Sequence, residues 1–318
     1  MYSFLASVLL FVFSCKDSKP SDVSEPKEVT ETPTKIEAEV DSLISDDTTD
    51  LSDISTKDFR EFKVLDSENL TKAEIWSVIS PQMDDFKESD YNRLKPMILE
   101  QDIPTLQQHI SDGKFNYQQL TKFYLYRIRK FDRENPLSLN SVIAINPNVI
   151  EQAEESDKDY VGNKKSNHPI FGMPILLKDN VNASDMATTA GAVALKDNFV
   201  EDAFIVKQLK SKGALILGKA NLSEWAYFFC GKCPSGYSAI GGQTLNPYGR
   251  RIIDTGGSSS GSGVSVSANF CAAAIGSETA GSILSPASQN STVGLKPTVG
   301  LVGRTGIVPI SSTVNLEP

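Results

Sequence analysis

Histidine is close to absent from this chain, with only His109 and His168 among 318 residues. Cysteine is scarce too, and four residues (15, 230, 233 and 271) are too few for a disulfide scaffold. Cys230-Gly-Lys-Cys233 has CxxC spacing. A structural zinc site takes four ligands, however, and neither a second CxxC nor a histidine pair stands at ligand spacing. A thioredoxin-like pair belongs just after a strand and at the opening of a helix. Metal and redox roles therefore weigh less than an ordinary loop, and a reversible disulfide in an oxidising compartment is left open. Basic patches are also missing. The net charge is −9, and residues 16–57 alone hold twelve acidic and five basic side chains, which makes −7 of it. Such a balance repels a phosphate backbone, so no nucleic-acid partner is expected.

The same segment, 16–57, lacks Phe, Trp and Tyr and is rich in Ser, Thr, Pro, Asp and Glu. It cannot bury enough apolar area to offset chain entropy, and a disordered tether is expected. Ahead of it, residues 1–14 form an apolar run too short to span a bilayer but of signal-peptide length. The run ends in Val12-Phe13-Ser14-Cys15, which resembles a bacterial lipobox, although no Lys or Arg precedes Cys15. The expected organisation is a signal peptide over 1–14, a lipid-bearing Cys15 with its acidic tether over 15–57, and a globular domain over 58–318. The protein would then be an exported, membrane-anchored lipoprotein on the periplasmic or cell-surface side, its anchor needing more than one acyl chain to hold firmly.

Within the globular part, apolar spacing predicts helix over 91–110 and over 117–131, where Leu120, Phe123, Tyr124 and Ile128 share a stripe. Ser141–Ile145 reads as a strand ended by Asn146-Pro147. Strand Met173–Leu177, helix Ala203–Leu209, strand Ala214–Leu217 and a short helix from Asn221 follow in alternation. Short apolar strands alternating with helices predict an α/β sheet covered on both faces.

The chemistry concentrates in two Gly/Ser runs, Gly256-Gly-Ser-Ser-Ser-Gly-Ser-Gly263 and Gly276-Ser-Glu-Thr-Ala-Gly-Ser282. Such runs are usually linkers, but the first leads directly into Val264-Ser-Val-Ser-Ala268, a helix or strand fit for burial. Gly257-Ser-Ser-Ser-Gly261 fits the G-x-S-x-G elbow. That mechanism needs a downstream Asp and His, and both histidines lie upstream. Ser24-Glu-Pro-Lys27 fits S-x-x-K but sits in the tether. No lysine follows the glycines in the way a phosphate cradle requires. The remaining base is Lys178, which closes the apolar run Gly172–Leu177. Partial desolvation would lower its pKa and let it take a proton. On position alone, an ordinary solvated lysine is the better reading.

The two runs together, with their key serines at 258 and 282, resemble the amidase signature. So do Gly172–Asn180, Thr188–Gly191, Gly218–Glu224, Gly241–Pro247 and Val293–Pro297, in the same order. That family includes peptide amidases, fatty acid amide hydrolase, malonamidase and the glutamine-hydrolysing chain of tRNA-dependent amidotransferases. The resemblance implies a mixed, mostly parallel β-sheet with helices on both faces. It also implies hydrolysis of a carboxamide C–N bond in a small-molecule or peptide amide through an acyl-serine intermediate. Ser282 would be the nucleophile, Ser258 (after a cis peptide bond) the bridging serine, and Lys178 the base. The backbone of Thr279, Ala280 and Gly281 would form the oxyanion hole, with no metal or organic cofactor.

Ala280 stands where many members have Gly or Asp, and Leu284-Ser285 replaces a common Arg-x before Pro286. After Ile310-Ser-Ser-Thr313 the family usually continues with Asp-Thr and a long region that completes the sheet. Here Val314-Asn-Leu-Glu-Pro318 follows. The expectation is an incomplete domain, lacking its later strands, with an unpaired sheet edge and uncovered apolar faces. Such a chain would be marginally folded or inactive. A non-catalytic lipoprotein and an amidotransferase-like glutamine amidase are the alternatives.

Overall fold

The computed structural model describes residues 67–133, 138–161, 168–228 and 233–310. The expected signal peptide over 1–14, Cys15 with the expected tether over 15–57, and Cys230 lie outside the described residues.

Helix α1 (Lys72–Ser77) opens on a capping box, in which Thr71 and Glu74 each bond the other's backbone N–H. The continuous helix expected over 91–110 is two: α2 (Glu88–Ile98) and α3 (Ile103–Ser111). The break has a local cause. Glu100 turns the chain at φ 57°, the Asp102 carboxylate accepts the Thr105 N–H at 2.9 Å, and Pro104 sits in the first turn of α3. Helix α4 (Tyr117–Ile128) is capped by Asn116 and buries the whole expected stripe. Phe131 lies beyond α4, in a π-type turn over Arg129–Arg133.

The sheet strands are β1 (Val142–Ile145), β2 (Pro174–Lys178) and β3 (Leu215–Ala220). Between them run α5 (Val149–Val161) and α6 (Phe204–Ser211). The short helix expected from Asn221 is a 3₁₀ turn over Glu224–Tyr227, with Trp225, Ala226 and Tyr227 all left-handed. A two-stranded ribbon follows, β4 (Tyr237–Ser238) with β5 (Gly242–Gln243). Helix α7 (Ser260–Ser267) begins inside the first Gly/Ser run. Strand β6 (Ala273–Ile275) and helix α8 (Leu284–Gln289) complete the order.

The four-stranded sheet runs β1-β3-β2-β6, with β1 antiparallel to β3 and the other pairs parallel. Strand β2 is therefore internal, and every one of its residues is buried. This explains its uninterrupted apolar run, since a strand covered on both faces shows no alternation. Its neighbours do face opposite ways. Leu176, Leu215 and Leu217 join the large core under α4 and α5, whereas Leu177 and Ile216 pack with Val181 and Val206 on the other face. Among the described residues β6 is an edge strand, and it is only half-buried. Past α8, Val293, Leu295, Val299 and Leu301 are largely exposed, an apolar surface of the kind that elsewhere marks contact sites.

Candidate active site

Lys178 is the last residue of β2, paired in register with Ala220 of β3. Its amine enters a region with no solvent access. The solvated reading of this lysine is thus replaced by a buried one, because β2 is flanked by strands on both sides. Nζ lies 2.7 Å from Ser258 Oγ, 3.1 Å from Ser277 Oγ and 3.2 Å from the Ser277 carbonyl. Burial drives the Lys178 pKa down to about 7, opposed only by the negative charge of Glu278. The amine therefore gives up its proton near neutrality instead of near 10.5.

Ser258 is delivered by the glycines around it. The Gly257–Ser258 peptide is cis, as the resemblance implies, and Ser258 is fully buried. Directly after it the chain enters α7, a helix of small residues for a steric reason. A Cβ on Gly261 would come within 2.5 Å of Asn221 backbone atoms and the Ser141 carbonyl. Ser262 donates to the Ile275 carbonyl at 3.0 Å, and Ser265 to the Ser141 hydroxyl at 3.0 Å. The Gly/Ser run is a packing surface and no linker.

Ser282 is buried beside the same turn, its carbonyl accepting the Ser259 N–H at 3.1 Å. Its own hydroxyl has no hydrogen-bond partner among the described residues. The turn ahead of it is open: the Thr279 and Ala280 N–H groups donate to no protein acceptor among the described residues, and a Cβ on Gly281 would meet nothing. Glu278 fixes the frame from below. Its carboxylate accepts the Ile283 N–H at 2.8 Å and the Leu284 N–H at 3.0 Å, and the Gly281 N–H adds a weaker contribution. The structure thus joins Lys178 to Ser258 directly and sets Ser282 one backbone hydrogen bond from Ser259. No side-chain bond links 258 to 282.

Several residues at this site carry no weight in a motif reading. Asp179 and Lys219 form a buried pair at 3.5 Å behind the strand ends. Asp179 also accepts the Thr189 hydroxyl and N–H, and Lys219 donates to the Val181 carbonyl at 2.6 Å and the Thr188 hydroxyl at 2.8 Å. Burial pushes the Asp179 carboxyl up and the Lys219 amine down, and each charge opposes the other's shift. A lysine inside the apolar strand Leu215–Ala220 was the available signal, since a buried cation demands a partner. Asn180 and Ser277, which bond each other beneath Lys178, gave no such signal. Cys271 is a buried free thiol whose pKa burial raises to about 12, and Cys233 sits in a disulfide.

With this geometry in place, comparison with known proteins decides the family. Residues 119–317 match the Amidase family. The chain belongs to it. An Arabidopsis thaliana protein described as a probable amidase is 46% identical over 217 residues, which cover 67% of this chain and 41% of that one. A glutamyl-tRNA(Gln) amidotransferase chain of Prochlorococcus marinus is 39% identical over 217 residues, 67% of this chain and 42% of its own. Among solved structures, an amidase family protein from Bacillus anthracis superposes with a TM-score of 0.73 at 44% identity, over 78% of this chain and 50% of that one. Native peptide amidase from Stenotrophomonas maltophilia does so with a TM-score of 0.65 at 49% identity, over 67% and 43%. The chain thus spans half or less of the length of these relatives.

Proposed function

We propose that the protein hydrolyses carboxamides through an acyl-enzyme on Ser282. The observation that carries the reading is the 2.7 Å contact between the buried Lys178 amine, whose pKa burial lowers to about 7, and the Ser258 hydroxyl. The Ser258 proton passes to Nζ while Ser258 Oγ takes the proton of Ser282. Ser282 Oγ then bonds the amide carbonyl carbon. The free N–H groups of Thr279 and Ala280 receive the developing oxyanion, an effect worth about 10²–10³ in rate per donor in comparable sites. The C–N bond breaks as the proton returns from Lys178 through Ser258 to the leaving nitrogen. Water, deprotonated along the same relay, attacks the acyl carbon and restores Ser282.

Both peptide amidase and a glutamyl-tRNA(Gln) amidotransferase chain are among the similar proteins, so the substrate class runs from peptide carboxamides to glutamine. Residues 58–318 are read as the amidase domain. The apolar run over 1–14 with Val12-Phe13-Ser14-Cys15 supports export and a lipid on Cys15, which palmitate labelling of the wild type and Cys15→Ser would test.

The decisive experiment is labelling with a fluorophosphonate probe alongside hydrolysis of a peptide carboxamide. Adduct on Ser282, lost in Ser282→Ala and Lys178→Ala, is expected. Labelling that survives both substitutions would overturn the reading.

A further inference from the structure

The groups packed around Lys178 fix the direction in which its hydrogens point. An uncharged lysine amine has two N–H donors and one lone pair. Four groups surround Nζ: its own Cε, Ser258 Oγ at 2.7 Å, Ser277 Oγ at 3.1 Å and the Ser277 carbonyl at 3.2 Å. The carbonyl can only accept. Ser277 Oγ can donate only one hydrogen, and its neighbour Asn180 settles where that hydrogen goes. Asn180 Oδ1 lies 3.2 Å from Ser277 Oγ, and Asn180 Nδ2 lies 2.9 Å from the same atom. Nδ2 also donates to the Val308 carbonyl at 3.0 Å, which fixes the amide orientation. Ser277 thus gives its hydrogen to Oδ1 and turns an acceptor toward Lys178.

We infer that Ser277 is a positioning residue, oriented by Asn180, whose hydroxyl and carbonyl occupy both N–H groups of Lys178 and so aim its lone pair at Ser258. This rests on the reading of Lys178 as the base, and it adds the reason why the proton moves from Ser258 to Lys178. The backbone half of the clamp is itself held: Ser259 Oγ donates to the Ser277 carbonyl at 3.1 Å and accepts the Ser277 N–H at 3.2 Å. The charged group facing the amine is Glu278, and the adjacent Asp179 and Lys219 are paired with each other.

The test measures the Lys178 titration directly, by ¹³C NMR of lysine Cε in the full chain, assigned with Lys178→Arg. In Ser277→Ala the ammonium loses one of its three acceptors, so the midpoint falls below the wild-type value. Ser277→Thr keeps the hydroxyl and restores the midpoint. Where hydrolysis is measurable, Ser277→Ala also lowers kcat/KM about 10–100-fold, and Ser277→Thr recovers most of it. A wild-type midpoint in Ser277→Ala, or a Thr variant as displaced as the Ala variant, overturns the assignment. If Ser277→Ala does not fold, Asn180→Ala must lower the midpoint in its place. These results are separable from the amidase reading, which falls if labelling survives both Ser282→Ala and Lys178→Ala.

Discussion

Lys219 Nζ stands 3.5 Å from Asp179 Oδ1, with both side chains sealed from solvent. Asp179 lies between Lys178 and Asn180, so this pair holds the backbone that presents the Lys178 amine. Removing one member leaves a buried charge without its counter-ion. Lys219→Met should cost about 3–5 kcal/mol in urea unfolding, and adding Asp179→Leu should recover much of it. A single variant as stable as the parent would show the pair to be dispensable.

The low pKa of Lys178 makes activity depend on pH in a definite direction. Below about pH 7 the amine holds its proton and cannot accept another, so kcat/KM should fall about tenfold per pH unit there and level off above. Stability moves the same way. The folded-state pKa is below the unfolded 10.5, so the unfolded chain binds the extra proton between about pH 7 and 10.5. Folding is then penalised fully below pH 7, and the penalty is relieved as pH rises through that window. Replacing Lys178 with Met should remove both the penalty and the activity. A pH–rate profile and denaturation at several pH values check the two halves separately.

Glu278 acts on the site in two ways, and one substitution separates them. Its carboxylate holds the N–H groups of Ile283 and Leu284, and its charge raises the Lys178 pKa. Glu278→Gln keeps the size and one acceptor oxygen. The acid limb of the rate profile should shift to lower pH, with the plateau reduced by about tenfold as the Ser282 turn loosens. An unmoved acid limb would mean that solvent screens the carboxylate from the amine.

Gly261→Ala should destabilise by about 1–3 kcal/mol, because the new methyl group meets backbone on both sides and neither can withdraw. Since α7 starts directly after Ser258, activity should fall further than the loss of folded protein explains. Thermal melting and the specific rate of the folded fraction give the two numbers.

Much of this architecture was legible in the sequence because the physics is local. The all-apolar Pro174–Leu177 announced a strand covered twice, and the stripe on α4 needed only a helical period. The split between α2 and α3 was legible in Asp102 and Pro104 but is outweighed by periodicity when spacing alone is read. Helix α5 hid behind charge, since only Val149, Ile150, Ala153 and Ser156 turn inward. Lys178, Ser258 and Ser282 were assigned from the family resemblance. The hydrogen bonds of Ser277 and Asn180 were beyond reach, because they connect residues 97 positions apart. Motif spacing carries no record of such pairings.

The bond from Asn180 to the Val308 carbonyl ties the surroundings of the Lys178 amine to a segment 128 residues downstream. The bridge between Val181 and Ile307 does the same for the backbone beside it. A chain cut short of Arg304 keeps Lys178, Ser258 and Ser282, but the Asn180 amide then loses the Val308 carbonyl and is held by Ser277 alone. The segment over 304–308 thus acts as a lock on the end of β2, supplied from far along the chain.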